Sequence, residues 1–234
     1  MASETVKETG GTLFVVATPL GNLDDLTVRS IKCLKEVDLI ACEDTRRTSK
    51  LLNHLGIKKP LISCFEHNEE ARIDELLGKI AGGSDIALVS DAGTPTISDP
   101  GFALVRAAHQ RGIKVSPIPG PSALVAALSV SGLPTDEFLF AGFLPRTASA
   151  RRTRLEELRS ARGTLIFYES PHRVVESLRD MIAVLGDREG FLCREVTKVH
   201  EELRRASLGD IAKDLESRPE VKGEIVLVVA GAGA

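Results

Sequence analysis

At 234 residues the chain has room for one or two domains, and 43% hydrophobic residues are enough to fill a core in each. The formal net charge of −3 rules out a global basic field of the kind that draws a protein onto nucleic acid, although local patches remain open. Cys33, Cys42, Cys64 and Cys193 form no CxxC pair and have no companion histidine spacing, so they read as reduced thiols rather than a zinc site or a disulfide framework. No stretch approaches the roughly 20 apolar residues of a membrane span, and the start of the chain lacks the apolar centre of a signal peptide. A soluble, cytoplasmic protein without a metal is expected, with residues 1–11 as a loose polar tail.

The first predicted element is a strand over 12–17, TLFVVA, rich in β-branched residues. It runs into Thr18-Pro-Leu-Gly-Asn-Leu-Asp-Asp25, and helical spacing then resumes over 27–37. A strand over 38–42, a helix over 46–55 stopped by Gly56, a strand over 61–64 and a helix over 69–81 follow. In that last helix Ile73, Leu76, Leu77 and Ile80 form one stripe. Ile86 to Val89 is a short apolar strand that opens into Ser90-Asp-Ala-Gly-Thr-Pro-Thr-Ile-Ser-Asp-Pro-Gly101, where Asp99-Pro100 predicts the cap and first turn of a helix. That helix ends near Arg111 with Gly112 behind it, a fifth strand covers 114–118, and Pro119-Gly-Pro-Ser-Ala123 turns into an alanine-rich helix. Strand and helix alternate five times. The economical reading is an α/β domain over 12–133, with a mostly parallel sheet and helices on both faces.

The alternation breaks around Gly132-Leu-Pro-Thr-Asp136, which marks the expected boundary with a second domain over 134–231. Strands are predicted over 138–143, 164–168, 191–196 and 224–230, with a polar stretch after the third; Ser170-Pro171 is expected to cap one helix, and another lies near 208–215. Helices are fewer here and strands closer together, which suits a mixed α/β sheet. Arg146, Arg151, Arg152, Arg154, Arg159 and Arg162 face only Glu156 and Glu157 within one short segment, and Arg46, Arg47, Lys50, Lys58 and Lys59 form a second basic group. By themselves such runs read as solvated helix faces.

Three strand-to-helix loops, over 17–25, 90–101 and 119–123, should open at the same edge of the first sheet, where a ligand crevice forms in parallel α/β folds. None is a GxGxxG fingerprint or a P-loop, so a nicotinamide or ATP site has no motif behind it. The combination of Ala17-Thr-Pro-Leu-Gly-Asn-Leu-Asp-Asp-Leu-Thr27, Glu43-Asp-Thr-Arg46, the 90–101 loop, Pro119-Gly-Pro-Ser-Ala123 and Tyr168-Glu-Ser-Pro-His-Arg173 closely resembles the small-subunit ribosomal RNA methyltransferases of the tetrapyrrole-methylase-like class. The resemblance spans residues 12–231.

It implies a homodimer of two-domain α/β chains, each holding S-adenosyl-L-methionine in a cleft between its domains. It also implies 2′-O-methylation of a cytidine ribose in the decoding region of 16S ribosomal RNA, presented as free RNA or as the 30S subunit. Carried over residue by residue, Pro19, Ser90, Asp91, Gly93, Thr94 and Ile97 are expected at the cofactor, with Ser122 and Ala123 closing that side and Leu144 approaching from the second domain. The first loop departs from the class's GxGPGD pattern, which speaks against a porphyrin-type substrate. A ribose hydroxyl is a poor nucleophile and wants a base or an electrostatic helper. Glu66, Glu195 and Lys198 are the candidates, each also readable as a structural charge; His67 and His172 read as surface or capping residues rather than ligands. Beside this resemblance, the two basic groups become candidate phosphate contacts. The competing readings are a tetrapyrrole carbon methyltransferase of the same fold and a non-catalytic nucleotide-binding regulator.

Overall fold

The computed structural model describes residues 10–65 and 69–233, which divide into two compact units between Pro121 and Ser122. In the first unit β1 (Thr12–Val16), β2 (Leu39–Cys42), β3 (Leu61–Ser63), β4 (Ile86–Val89) and β5 (Lys114–Ile118) alternate with α1 (Val28–Glu36), α2 (Thr45–His54), α3 (Glu69–Ala81) and α4 (Phe102–Gln110). All strand pairs are parallel, in the order β3-β2-β4-β1-β5. Every residue of β2 and β4 is buried, because helices cover both faces. Leu34 of α1 and Leu52 of α2 pack on one face with Val16, Ile40 and Val89, while Leu76 and Ile80 of α3 and Leu104 of α4 pack on the other with Leu13, Ile86 and Leu88. The helix stripes and the strand runs of the sequence thus assign each helix to a face.

The helix starts are set by caps. Thr27 Oγ1 accepts from the amide of Ser30, and Asp44 Oδ1 from that of Arg46. The start of α4 differs from expectation: the helix begins at Phe102, and its N-cap is Gly101 at φ +115°, not Asp99. A Cβ at residue 101 would sit 2.6 Å from Leu88 Cδ2, so only glycine fits there. The missing side-chain cap is supplied from α3, where the buried Glu69 carboxylate accepts from the Leu104 amide at 2.9 Å.

The second unit contains α5 (Ala123–Ser131), β6 (Phe138–Phe143), α6 (Ala148–Leu158), β7 (Thr164–Glu169), α7 (Val174–Leu185), β8 (Glu189–Arg194), β9 (Glu202–Ser207), α8 (Leu208–Glu216) and β10 (Ile225–Val229). Its sheet runs β6-β7-β10-β8-β9; β6 and β7 pair in parallel and the other neighbours antiparallel, the mixed sheet that the sequence suggested. Leu155 of α6, Leu178 of α7 and Ile211 of α8 form the core on one face with Leu165, Phe167 and Leu227. On the other face Ala127 and Leu128 of α5 pack against Ile166, Phe191 and Val228.

That packing explains why the units divide at 121/122, twelve residues before the expected boundary of 133/134. Helix α5 is apolar almost all round and covers the second sheet, so it belongs with the strands that follow it. Two further expectations are corrected. Helix α7 starts at Val174, and Ser170 instead accepts the His172 amide in the turn before it. The polar stretch after β8 contains β9, an edge strand whose arginines hide its pattern: Arg204 pairs with Asp214 and Arg205 with Glu189.

Candidate functional site

The carboxyl ends of β1, β4 and β5 are tied into one frame. Thr18, just past β1, and Gly93, in the loop after β4, exchange both backbone hydrogen bonds at 2.9 and 3.0 Å. The Thr18 hydroxyl donates to the Ser90 carbonyl, and the Thr94 hydroxyl to the carbonyl of Pro121 beyond β5. Gly93 has φ +78°, and a Cβ there would stand 3.1 Å from Leu20 Cδ2, so the two loops meet almost backbone to backbone. Thr96 and Ser98 also adopt left-handed φ values of 74° and 63°. A β-branched residue in that region stores strain on the order of 1–3 kcal/mol, a cost seen chiefly where a loop is held for function.

Charge gathers where β2 and β4 end. Asp91 Oδ1 accepts from the Asp44 amide at 3.1 Å, and its Oδ2 lies 3.3 Å from Arg47 Nε. Asp44 in turn grips Arg46, whose guanidinium holds the carboxyl well below the ordinary carboxylate range. Burial, and then the neighbouring Asp91 carboxylate, push Glu43 upward. Beside this cluster is a cavity of about 280 Å³, whose walls are Pro19, Leu20, Leu23 and Leu51 with Thr18, Thr48 and Ser90. Asp91, Arg47 and Lys50 supply its charges.

Of the residues expected at a cofactor, Pro19, Ser90 and Asp91 line this cavity, and Gly93 and Thr94 belong to the tied frame. Ile97 is partly exposed within the strained loop. Ser122 and Ala123 open α5 in the second unit, with no side-chain cap from Ser122. The Leu144 side chain is buried in the second unit's core, which leaves its backbone, whose carbonyl accepts from Arg173, as the part that a ligand could meet. Glu66 and His67 lie outside the described residues, as do residues 1–9 of the expected tail.

Glu195 and Lys198 come together as an ion pair. Lys198 Nζ bridges Glu195 Oε1 at 2.8 Å and Glu224 Oε2 at 3.0 Å. Burial alone would raise the Glu195 pKa and lower that of Lys198, but the hydrogen bonds of the pair outweigh it in both. The lysine is therefore held as an ammonium and has no lone pair for proton abstraction, and the glutamate is a weakened base. The turn that carries them is strained, with Glu195 and Thr197 at positive φ. The Thr197 amide donates to Glu201 at 2.6 Å, while Thr197 Oγ1 is buried with no hydrogen-bond partner among the described residues.

The basic segment around α6 is largely engaged within the protein. Arg151 is buried, its side chain 3% exposed, and donates to Asp180 at 2.6 Å; Arg152 binds the other oxygen of the same carboxylate. Arg154 pairs with Glu157 and Arg159 with Glu156. Arg151 is thus a structural cation, a correction to its reading as a phosphate contact. Sequence reasoning assigned no role to Glu169, whose buried carboxylate accepts from the Ser170 amide, Arg173 and Ser177 and so fixes the turn between β7 and α7. The Glu and Arg of Tyr168-Glu-Ser-Pro-His-Arg173 were the available signal. No group of three or more potential metal ligands occurs among the described residues.

The sequence model of Tetrapyrrole (Corrin/Porphyrin) Methylases matches residues 12–212. The chain belongs to this family. Among curated members, it is 51% identical over 223 residues to the Ribosomal RNA small subunit methyltransferase I of Pseudomonas aeruginosa, covering 94% of this chain and 79% of that one. The protein of the same name from Halalkalibacterium halodurans is 52% identical, with 95% and 77% covered, and that from Thermotoga maritima 48%, with 94% and 99%. Solved structures of tetrapyrrole methylases share the fold at lower identity. The methyltransferase CobJ superposes with a TM-score of 0.71 at 20% identity over 95% of each chain, and cobalt precorrin-4 methyltransferase with 0.69 at 16% over 94% of each.

Proposed function

We propose that this family member transfers a methyl group from S-adenosyl-L-methionine to the ribose 2′-hydroxyl of a cytidine in 16S ribosomal RNA of the small subunit. The observation that carries the reading is identity near one half, across 94% or more of the chain, to proteins named for small-subunit ribosomal RNA methylation. The tied frame supports it. It carries Pro19, Ser90, Asp91, Gly93, Thr94 and Ile97, the residues of the first unit that would hold the cofactor. The cofactor supplies an electrophilic methyl on a sulfonium.

What the chain contributes is position. Displacement at a methyl carbon needs acceptor oxygen, carbon and leaving sulfur in line, and orienting two reactants contributes up to about 7–11 kcal/mol. Strained, cross-bonded loops suit that task, because a frame fixed before binding loses little entropy when it is used. Lys198 enters this reading as a fixed cation rather than a base, and loss of transfer in Lys198→Ala with cofactor affinity retained would keep it there. A ribosomal RNA substrate supports a cytoplasmic location. A homodimer completes the reading: the edge strand β6 exposes Phe138, Leu139 and Phe143, and a monomer mass in light scattering would remove it.

The test is transfer of labelled methyl to small ribosomal subunits from cells lacking this gene, followed by nucleoside analysis. The expected product is 2′-O-methylcytidine. No incorporation by protein shown to bind the cofactor would overturn the reading, and methylation of a tetrapyrrole instead would replace it.

A further inference from the structure

The 280 Å³ cavity of the first unit has a charge pattern that the cofactor does not explain. Arg47 and Lys50 stand three residues apart on α2, hence on one face, and both reach the cavity. Arg47 shares its Nε with Asp91, but its side chain is 65% exposed and keeps further donors free. Lys50 is exposed and has no ion-pair partner among the described residues. The one carboxylate of the lining, Asp91, already accepts from Arg47 and from the Asp44 amide, so Lys50 leaves the rim with an uncompensated positive charge. S-adenosyl-L-methionine carries a sulfonium and an ammonium against one carboxylate and is a net cation. A nucleotide within an RNA strand offers the opposite: ring faces for Leu20, Leu23 and Leu51, and an anionic phosphodiester for the two cations.

We infer that this cavity seats the acceptor nucleotide and that Lys50 and Arg47 hold the phosphate beside it. The inference rests on the RNA reading above. It also places the RNA footprint on the first unit, where Glu43 to Lys59 contains five Lys or Arg against two carboxylates, rather than on α6, where most of the arginines are committed to neighbouring carboxylates. Donor and acceptor must touch during transfer, and Ser90 and Asp91 provide the shared wall.

The experiment measures binding of a small-subunit RNA fragment across a salt series for the wild type, Lys50→Ala, Lys50→Glu and, as a charge-matched control, Lys79→Ala, alongside cofactor affinity by calorimetry. Each phosphate that is no longer neutralised lowers the slope of log affinity against log salt by about 0.7–0.9. Lys50→Ala is expected to lower the slope by about that much and to bind RNA several-fold more weakly, Lys50→Glu more so, with cofactor affinity within about twofold of the wild type. The same substitutions raise KM for RNA more than they lower kcat. An unchanged salt slope in both Lys50 variants overturns the inference, as does a loss of cofactor affinity with the RNA slope intact. Methyl transfer to RNA by the wild type in the same preparation separates this failure from failure of the RNA reading itself.

Discussion

Replacing Arg151 with methionine distinguishes a structural cation from an RNA contact. The Arg151 guanidinium and the Asp180 carboxylate, 3% and 5% exposed, meet at 2.6 Å between α6 and α7. Breaking a buried pair from one side costs about 3–5 kcal/mol, since the partner is left charged without compensation. Here Arg152 still holds the other Asp180 oxygen at 2.6 Å, and methionine preserves most of the stem's packing, so about 2–4 kcal/mol is expected. For a chain of this size each kcal/mol lowers Tm by roughly 2–4 °C, which gives a fall of about 5–15 °C in scanning calorimetry. The acid side carries the same signature. Burial favours the neutral form of Asp180, but the hydrogen bonds from Arg152 and Arg151 outweigh it and depress the pKa. The stability gained is therefore complete above the ordinary carboxylate pKa and fades as pH falls below it, and Arg151→Met shrinks that acid-side loss. Arg151→Met with Asp180→Leu is expected to recover at least half of the lost stability, because no buried charge is stranded. An unchanged Tm together with a shallower salt dependence of RNA binding would refute the structural assignment.

Other consequences are as direct. Glu69→Ala removes the only side-chain cap of α4 seen among the described residues and strands a buried amide at Leu104, which costs about 1–2 kcal/mol by chemical denaturation; Glu69→Gln, which can still accept, retains most of it. The Arg218 hydrogen bond, reinforced by Arg194 against the effect of burial, holds Glu202 down at about 2 from an ordinary 4.5. Its contribution, at most about 3 kcal/mol, is fully present above pH 4.5 and is lost as pH drops toward 2, so Glu202→Gln flattens the acid limb of the stability profile. All four cysteines are buried, and burial pushes Cys33 and Cys64 up to about 11 and Cys193 to about 12. Native protein is expected to resist iodoacetamide at neutral pH and to react at all four positions once denatured; fast native labelling would contradict that burial.

The first unit was legible in the sequence because its strands are continuous apolar runs and its helices carry single stripes, the two patterns that burial on both faces of a parallel sheet demands. What escaped was set by partners distant in the chain. Asp99-Pro100 carries a plausible local cap signal, yet α4 starts two residues later under a carboxylate 35 positions away. Helix α5 looks like the end of one domain until its apolar faces are seen against the strands that follow. The charged alternation of β9 hides an edge strand whose arginines are satisfied across the sheet and by α8. At the site, the loop motifs were readable as a set, whereas the commitment of Arg151 depends on a residue 29 positions on. The pairing of Lys198 likewise draws, besides the nearby Glu195, on Glu224, 26 positions away.

The place of β1 in its sheet bears on synthesis as well as on the finished protein. This first strand pairs with β4 and β5 and with no strand nearer in sequence; Val16 meets Ile118 at its end. At translation rates of about 5–20 residues per second, roughly 5–20 s separate the making of TLFVV from the making of its second neighbour. During that interval a short, β-branched, apolar segment waits without either of its lateral partners, and pairing so remote in sequence is slow to close. Early burial of the segment beneath α1, whose Leu34 packs with Val16 in the finished protein, shortens that exposure before β1 becomes the strand that holds the frame.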